Sequence, residues 1–229
     1  MNNDNRFEFK YVLDAAVAPI LKNYFNKIGI RNDPASNGHY VVTSLYFDTP
    51  MLSDYYDKLA GNKYRRKLRL RSYCETFNDA KTAWLEIKEK RDMSTNKKRH
   101  NIDEDRLKIF LEKGDLFSCQ KDFLYLSLIK NYQPHIIVRY KRDAYKDNLF
   151  SGVRLTVDSD LETCRWNDFV DNINMAPVCK ESIVMEIKFQ KAMPWWFKDM
   201  IYRFNLSREP FSKYTKSVDV LNRCNPLMR

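Results

Sequence analysis

Eight stretches of this 229-residue chain alternate apolar and charged side chains or are rich in β-forming residues, and this pattern restricts the fold more than any other feature. Successive side chains of a β-strand point to opposite faces of a sheet, so each stretch predicts a strand with two chemically different faces. The predicted strands are 6–12, 40–48, 63–73, 82–89, 97–102, 135–145, 152–160 and 182–190.

Five of these strands carry mixed full charges on one face. In the third strand, Leu68 and Leu70 oppose Lys67, Arg69 and Arg71, and strands one, four, seven and eight divide in the same way. A single strand of this kind fits a sheet that packs on helices and exposes its other face to water. Five such strands, nearly free of uncharged polar residues on that face, favour a bound anion that neutralises the repelling cations.

The sequence predicts an α+β fold in which an eight-stranded antiparallel β-barrel closes around the charged face. Closure would remove exposed strand edges and leave room for one small ligand, with helices packed on the apolar outside. Segments with helical spacing are 16–28, 50–60, 104–113, 123–131, 194–204 and 214–223. Because no repeat, linker or low-complexity tract interrupts the chain, residues 1–229 are predicted to form one domain.

Composition narrows the classes of ligand. The chain has 40 Lys and Arg against 30 Asp and Glu, a net charge of +10 that attracts polyanions. Five scattered glycines exclude both Gly-rich nucleotide-binding motifs, and five cysteines without a C-x-x-C pair argue against zinc and disulfides. The start of the chain is polar and no apolar run reaches about 18 residues, so a cytoplasmic location is expected.

Charges that face the inside of a barrel must be paired or bound to a ligand, because a buried unpaired charge is costly. Arginine forks match phosphate oxygens, and carboxylates among them match a hard divalent cation that bridges the same oxygens. The pattern therefore predicts a phosphate polyanion held together with a metal.

An ordered set of short motifs carries a family resemblance. They are R-F-E-F-K-Y at 6–11, L-Y-F-D-T at 45–49, K-L-R-L-R-S-Y at 67–73, W-L-E-I-K at 84–88, Y-K-R-D-A-Y at 140–145, R-L-T-V-D at 154–158, V-M-E-I-K-F at 184–189 and S-K-Y at 212–214. Because it carries these motifs in this order, the chain resembles the VTC-domain polyphosphate polymerases, which belong to the CYTH-like superfamily of triphosphate tunnel metalloenzymes.

The resemblance implies a set of site residues. The implied phosphate-binding and catalytic cations are Lys10, Arg69, Arg71, Lys88, Arg142, Arg154 and Lys213, with Lys188 as a further phosphate-binding residue. Glu186 is the implied principal ligand of a Mn or Mg ion. Glu86, Glu8 and Asp158 are further metal candidates, with cross-strand pairing to neighbouring cations as the alternative.

The resemblance also implies a reaction, the transfer of the γ-phosphoryl group of ATP to a growing polyphosphate chain. Hydrolytic relatives carry Glu-x-Glu-x-Lys on the first strand, whereas Arg6 stands at the first of these positions, which favours a polymerase over a triphosphatase. A tunnel triphosphatase and a non-catalytic polyphosphate-binding module remain alternatives. The expected partners are ATP and polyphosphate, or pyrophosphate or triphosphate in place of polyphosphate, with no nucleic acid and no membrane segment in this chain.

Three features were assigned no part in the site. The basic run Lys97, Lys98 and Arg99 is interpreted as a solvated strand edge. The aromatic cluster at 195–197 is interpreted as core packing, and no residue is assigned to adenine. Most strand aromatics are expected on the face opposite the charges, so base stacking is disfavoured.

Overall fold

A computed structural model describes residues 6–34, 38–92, 94–114, 121–147, 153–166, 174–190 and 192–224. Within these ranges the chain forms ten β-strands and six α-helices. The strands are β1 (Arg6–Asp14), β2 (Arg31–Asn32), β3 (His39–Asp48), β4 (Tyr64–Ser72), β5 (Thr82–Arg91), β6 (Ser94–Asp103), β7 (Gln133–Lys146), β8 (Arg154–Arg165), β9 (Ala176–Pro177) and β10 (Ser182–Gln190). The helices are α1 (Ala18–Lys27), α2 (Ser53–Leu59), α3 (Glu104–Lys113), α4 (Lys121–Lys130), α5 (Trp195–Arg203) and α6 (Lys213–Cys224).

All eight predicted strands and all six predicted helices are present, and β2 and β9 are short additions. The helix predicted at 50–60 starts later than position 50, because α2 begins only at Ser53. Leu52, between them, has a left-handed backbone with φ of 52° and so interrupts a helical path. No helix in the described ranges is both long and apolar enough to cross a membrane.

The chain divides into two compact units. The first unit comprises residues 1–40, 140–161 and 179–212. Its strands follow the order β1-β10-β8-β7, and the β1–β10 and β10–β8 pairs are antiparallel. Their apolar faces pack with α1 and α5 into a core where Tyr11, Phe25, Ile187 and Trp196 are nearly inaccessible to solvent. This packing leaves the charged side chains on the other face.

The second unit comprises residues 41–139, 162–178 and 213–229, so β7 and β8 contribute residues to both units. Its strands follow the order β7-β3-β4-β5-β6. Leu70 and Leu85 pack with Phe110 of α3 and Phe123 of α4 in a second apolar core. The helix α3 begins where the Asp103 side chain accepts a hydrogen bond from the N–H of Arg106.

The predicted closure of the barrel is not made by hydrogen bonds among the described residues. In the second unit β6 pairs only with β5, and in the first unit β1 pairs with β10 and otherwise forms one bridge, from Tyr11 to Arg208. The exposed side chains of β6 include Lys97 and Lys98, and such charges protect a strand edge from further pairing. The antiparallel α+β class is confirmed, whereas the single-domain organisation stays a prediction.

Candidate functional site

Three cross-strand rows of side chains lie on the charged face of the second unit. The register of β4, β5 and β6 places Lys67, Lys88 and Lys97 in one row, Arg69, Glu86 and Arg99 in the next, and Arg71, Trp84 and Asn101 in the third. Rows two residues apart along a strand are separated by about 7 Å. The alternation of β-structure therefore brings cations from three strands onto one surface.

At the centre of this face, Glu86 is surrounded by cations. Its Oε2 atom is 2.7 Å from both Nε and Nη2 of Arg69 and 4.0 Å from Nε of Arg71. Its Oε1 atom is 2.6 Å from Nζ of Lys97 and 3.3 Å from Nε of Arg99. Burial by itself raises the pKa of Glu86, but Arg69, Arg71 and Lys97 outweigh it and lower the pKa to about 2.

We call Arg69, Arg71, Glu86, Lys97 and Arg99 the cationic cluster. Four positive charges face one carboxylate, so the cluster carries a net charge of +3. Burial and the neighbouring Arg69 and Arg71 lower the pKa of Lys97, against the effect of Glu86. This crowding of cations around a single carboxylate is the arrangement that phosphate oxygens can stabilise by charge-assisted hydrogen bonds.

Two residues of this cluster were missed by the sequence analysis. The side chains of Lys97 and Arg99 are 43% and 35% exposed, as befits an edge strand, yet both contact Glu86. Lys98, between them, points to the opposite face and lines a pocket with Arg66. The period-two pattern of β6 places Lys98 on the face opposite to Lys97 and Arg99. Only the register with β5 shows that the face carrying Lys97 and Arg99 is the one on which Glu86 lies.

Two hydroxyl groups position the arginines from β3. The Nη1 group of Arg69 donates to the hydroxyl of Tyr46 at 3.2 Å, and Nε of Arg71 donates to Oγ of Ser44 at 3.4 Å. The ring of Tyr46 stacks on that of Tyr214, with centroids 5.2 Å apart. These contacts restrict the rotamers of the two guanidinium groups before any ligand binds.

The predicted cation Lys213 is the first residue of α6. The next residue, Tyr214, is buried and its hydroxyl donates to Oδ2 of Asp48 at 2.5 Å. Burial and the nearby Asp48 carboxylate raise the pKa of Tyr214, so it stays a neutral donor. This buried hydrogen bond fixes the start of α6, and with it the backbone of Lys213.

A buried acid lies in the same part of the second unit. Asp54 receives a hydrogen bond of 2.8 Å from the hydroxyl of Tyr132, and its own N–H donates to Asp48. Burial is the largest cause that raises the pKa of Asp54, the Asp48 carboxylate adds to it, and the pKa reaches about 7. A second carboxylate beside Asp48 is therefore protonated below neutral pH.

A different arrangement occupies the charged face of the first unit. Nζ of Lys10 is 3.3 Å from Oε1 of Glu8 and 3.5 Å from Oε2 of Glu186. Lys188 contacts the same two carboxylates, with 4.0 Å between its Nζ and Oε2 of Glu8 and a shorter contact to Oε1 of Glu186. We call these four residues the lysine–glutamate quartet. Two cations and two carboxylates alternate in it, and their charges cancel.

Burial alone lowers the pKa of Lys10, but Glu186 and Glu8 outweigh this effect and raise the pKa. The antiparallel register explains the alternation, because Lys10 stands opposite Glu186 and Glu8 opposite Lys188. The predicted phosphate ligands Lys10 and Lys188 are thus brought together with two of the predicted metal ligands.

The remaining predicted residues of the first unit lie on β7 and β8. Arg142 forms a fork with Asp158, with Nε to Oδ1 at 2.6 Å and Nη2 to Oδ2 at 2.8 Å. Burial lowers the pKa of Arg142, and nearby Tyr140, Asp158 and Glu186 together raise it well above the usual value. Arg154 is exposed and stands opposite Lys188 in the strand register. Arg142 thus lies on the charged face of the first unit, beside Asp158.

The four predicted metal ligands have unequal surroundings. Asp158 is engaged by the Arg142 fork and Glu86 by four cations, so both fit cross-strand pairing better than metal binding. Among the described residues, Glu8 and Glu186 share the two ammonium groups of Lys10 and Lys188 and are not held by an arginine fork, so they are the pair that remains as candidate ligands of a divalent ion. No group of three or more His, Cys, Asp and Glu residues that could hold a metal occurs in the described ranges.

Two carboxylates still fit Mg²⁺, which is commonly bound by one or two carboxylates, waters and substrate phosphates. Thr156 stands opposite Glu186 in the register, and its buried Oγ1 has no hydrogen-bond partner within the described part of the chain. The Glu186 carboxylate and the Thr156 hydroxyl are oxygen donors of the kind that a hard cation with its hydration shell binds.

Comparison with known proteins identifies a family and solved structures of similar fold. The family model of the VTC domain matches residues 5–222. A candidate adenylate cyclase from Bacillus halodurans, solved by crystallography, aligns with a TM-score of 0.54 and 13% identity over 93% of this chain and 96% of its own. The PH1819 protein from Pyrococcus horikoshii aligns with a TM-score of 0.50 and 10% identity over 94% and 99% of the two chains. At these identities the two structures establish similarity of fold alone. A search of curated proteins finds no significant match.

Proposed function

This chain belongs to the VTC domain family, and from that membership we propose that it is a metal-dependent polyphosphate polymerase using ATP as phosphoryl donor. The observation that carries the proposal is the cationic cluster, in which four cations surround one carboxylate on a face formed by three strands. A face with this surplus charge binds a chain of phosphates more readily than a neutral metabolite.

In the proposed reaction, a terminal oxygen of polyphosphate attacks the γ-phosphorus of ATP. A new P–O–P bond forms, the bond between the β,γ-bridging oxygen and the γ-phosphorus breaks, and ADP leaves with its electron pair. Such a transfer needs positioning and charge stabilisation more than a protein nucleophile. Guanidinium forks from Arg69 and Arg71 hold phosphate oxygens, and Lys88 and Lys97 neutralise charge on the row beside them.

The first unit supplies the candidate metal ligands. Glu186, with Glu8, would hold a Mn or Mg ion, which when bound supplies charge neutralisation to phosphate oxygens. Lys10 and Lys188 hold the two carboxylates in place through the quartet contacts. Arg142 is oriented by Asp158, and we propose that this arginine and the exposed Arg154 bind phosphate.

A triphosphatase is the second candidate, and one observation favours it. Glu8 and Glu186 lie on adjacent strands on both sides of Lys10, an arrangement that could bind a metal which activates water. The presence of Arg6, where hydrolytic relatives carry a glutamate, weighs against this alternative.

The test is to incubate the purified protein with ATP and Mn²⁺ and to resolve the products on a gel stained for polyphosphate. The proposal expects polymer and ADP from the wild type, and a loss of activity of about 100-fold or more in Arg69→Ala and in Glu186→Ala. Arg106→Ala is the matched control, since it removes an arginine of the same unit that is half-exposed on α3.

Three outcomes separate the candidates. Chain growth that both site variants abolish and the control retains supports the polymerase. Release of orthophosphate without polymer supports the triphosphatase and overturns the polymerase. Tight binding of polyphosphate without turnover overturns both enzymes and leaves a binding module.

A further inference from the structure

One tryptophan lies on the charged face of the second unit. The alternation that places Glu86 and Lys88 on this face places Trp84 there as well, opposite Arg71 on β4 and Asn101 on β6. Its side chain is only half-buried. An indole among cations on a polar face adds little to the apolar core on the other side of the sheet, so it calls for a different explanation.

The indole is already part of a stack. The guanidinium carbon of Arg99 lies 3.7 Å from its ring centroid, a close cation–π contact. Nη2 of Arg99 also donates to the hydroxyl of Tyr73 at 3.1 Å, and the side chain of Tyr73 is exposed. Indole and guanidinium planes are both surfaces on which nucleobases stack, so a planar base can extend this arrangement.

A side chain that can hydrogen-bond to the edge of a purine lies beside the stack. Asn101 is directly opposite Trp84 in the register, and its Oδ1 atom accepts a hydrogen bond from the hydroxyl of Thr82. The side-chain amide of asparagine can pair with the donor and acceptor on the edge of adenine. The Trp84 row therefore combines stacking with an edge contact, and the guanidinium group of its Arg71 leans towards the Glu86 row, with Nε 4.0 Å from Oε2 of Glu86.

The spacing fits a nucleoside triphosphate. The Trp84 row, the Glu86 row and the Lys88 row follow one another along β5, and together they cover about 14 Å. A base at Trp84 would place successive phosphates first between Arg69 and Arg99 and then beside Lys88 and Lys97. The order of aromatic, arginine and lysine rows thus matches the order of base and phosphates in the ligand.

We propose that Trp84, Arg99 and Asn101 form the nucleobase subsite that binds the purine of the donor nucleotide. The inference rests on the proposed function, because it assigns the base of the nucleotide whose phosphates the cationic cluster binds. It also gives the bound triphosphate a direction, with its γ-phosphate at the end of the face nearest Lys88 and Lys97.

The test compares ATP with tripolyphosphate, which has the phosphates but no base. Calorimetric titrations of both ligands are made with the wild type, Trp84→Leu, Trp84→Phe and Trp195→Phe, the last of which changes an exposed tryptophan on α5. We expect Trp84→Leu to weaken ATP binding about tenfold, Trp84→Phe to weaken it less, and tripolyphosphate binding to change less than twofold. Equal losses for both ligands, or no loss for either, would overturn the subsite.

Intrinsic fluorescence provides a second measurement that does not depend on Trp84→Leu being folded. ATP and AMP should quench the wild-type emission, the quenching should disappear in Trp84→Phe and persist in Trp195→Phe, and tripolyphosphate should not reproduce it. Quenching that persists in Trp84→Phe contradicts the inference. If ATP and AMP bind through Trp84 while tripolyphosphate does not bind at all, the subsite stands and the proposed polymerase fails.

Discussion

The two charged clusters of this protein both combine cations with carboxylates, but in different ratios, and only one of them contains arginine. In the lysine–glutamate quartet of the first unit, Lys10, Glu8, Lys188 and Glu186 alternate, and the charges cancel. In the cationic cluster of the second unit, four cations share Glu86 and leave a net charge of +3. A neutral ring of pairs needs no ligand, whereas a cluster with excess like charge is stabilised by an anion.

This difference suggests a division of tasks. The quartet holds two carboxylates in fixed positions that a divalent cation could use, and it offers no net charge to a phosphate chain. The cationic cluster offers net charge and arginine forks, and its carboxylate is committed to holding the cations together. Two substitutions test this comparison, and a third tests a buried acid that belongs to neither cluster.

Removal of the shared carboxylate should destabilise the second unit. We expect Glu86→Gln to lower the free energy of unfolding by about 2 to 3 kcal/mol, because four cations lose the buried charge that they share. Saturating tripolyphosphate should recover most of this loss, since it binds only the folded state. The measurement is chemical denaturation with and without tripolyphosphate.

Glu89→Gln is the control for this prediction. Glu89 lies on the same strand, pairs with Arg66 and is less buried than Glu86. Its substitution should cost less than about 1 kcal/mol, with no greater rescue by tripolyphosphate than in the wild type. Equal effects of the two substitutions would contradict a special role of the cationic cluster.

The quartet should instead control the metal. Glu186→Gln is expected to raise the dissociation constant of Mn²⁺ about tenfold, measured by calorimetry on the tripolyphosphate complex, because one of two carboxylate ligands is lost. Tripolyphosphate binding without metal should stay the same or become slightly tighter, as the quartet gains a positive charge.

Glu162→Gln serves as the comparison, since this glutamate pairs with Arg139 in the second unit outside both clusters. It should leave both dissociation constants within twofold of the wild type. If Glu186→Gln binds Mn²⁺ as tightly as the wild type, the assignment of the metal site to the quartet is wrong.

The third prediction is a dependence of stability on pH that belongs to neither cluster. Asp54 has a pKa of about 7 in the folded protein against 3.8 as its ordinary value. The folded state therefore keeps this proton to a higher pH than the unfolded state. The stabilisation is complete below pH 3.8 and is lost as the pH rises to about 7, with a slope of at most about 1.4 kcal/mol per pH unit.

In Asp54→Asn this slope should be absent, while the hydrogen bond from Tyr132 can be retained. The measurement is the difference in unfolding free energy between wild type and variant from pH 4 to 8. Glu86 stays ionised in this range because its pKa is about 2, so the cationic cluster does not contribute. Asp57→Asn on the same helix is the control, and an identical pH slope in wild type and Asp54→Asn would refute the assignment.

The sequence by itself determined the elements and the faces of the strands. Period-two alternation separated Leu68 and Leu70 from Lys67, Arg69 and Arg71, and all eight predicted strands and six predicted helices are present. Local spacing suffices for this, because the direction of a side chain along a strand depends only on its position in the chain. The same alternation places Trp84 among the charges.

Only the tertiary structure decided which charges meet. The sequence predicts Lys97 and Arg99 on a solvated edge, and Glu86 as a metal candidate or a cross-strand partner of neighbouring cations. The register of β5 and β6 brings the three together. Likewise, Glu8 and Glu186 are 178 residues apart and meet through the pairing of β1 and β10. Strand register depends on contacts between distant segments, which alternation within one strand does not encode. The sequence shows on which face of each strand a charged residue lies, but the fold determines which charged residues are in contact.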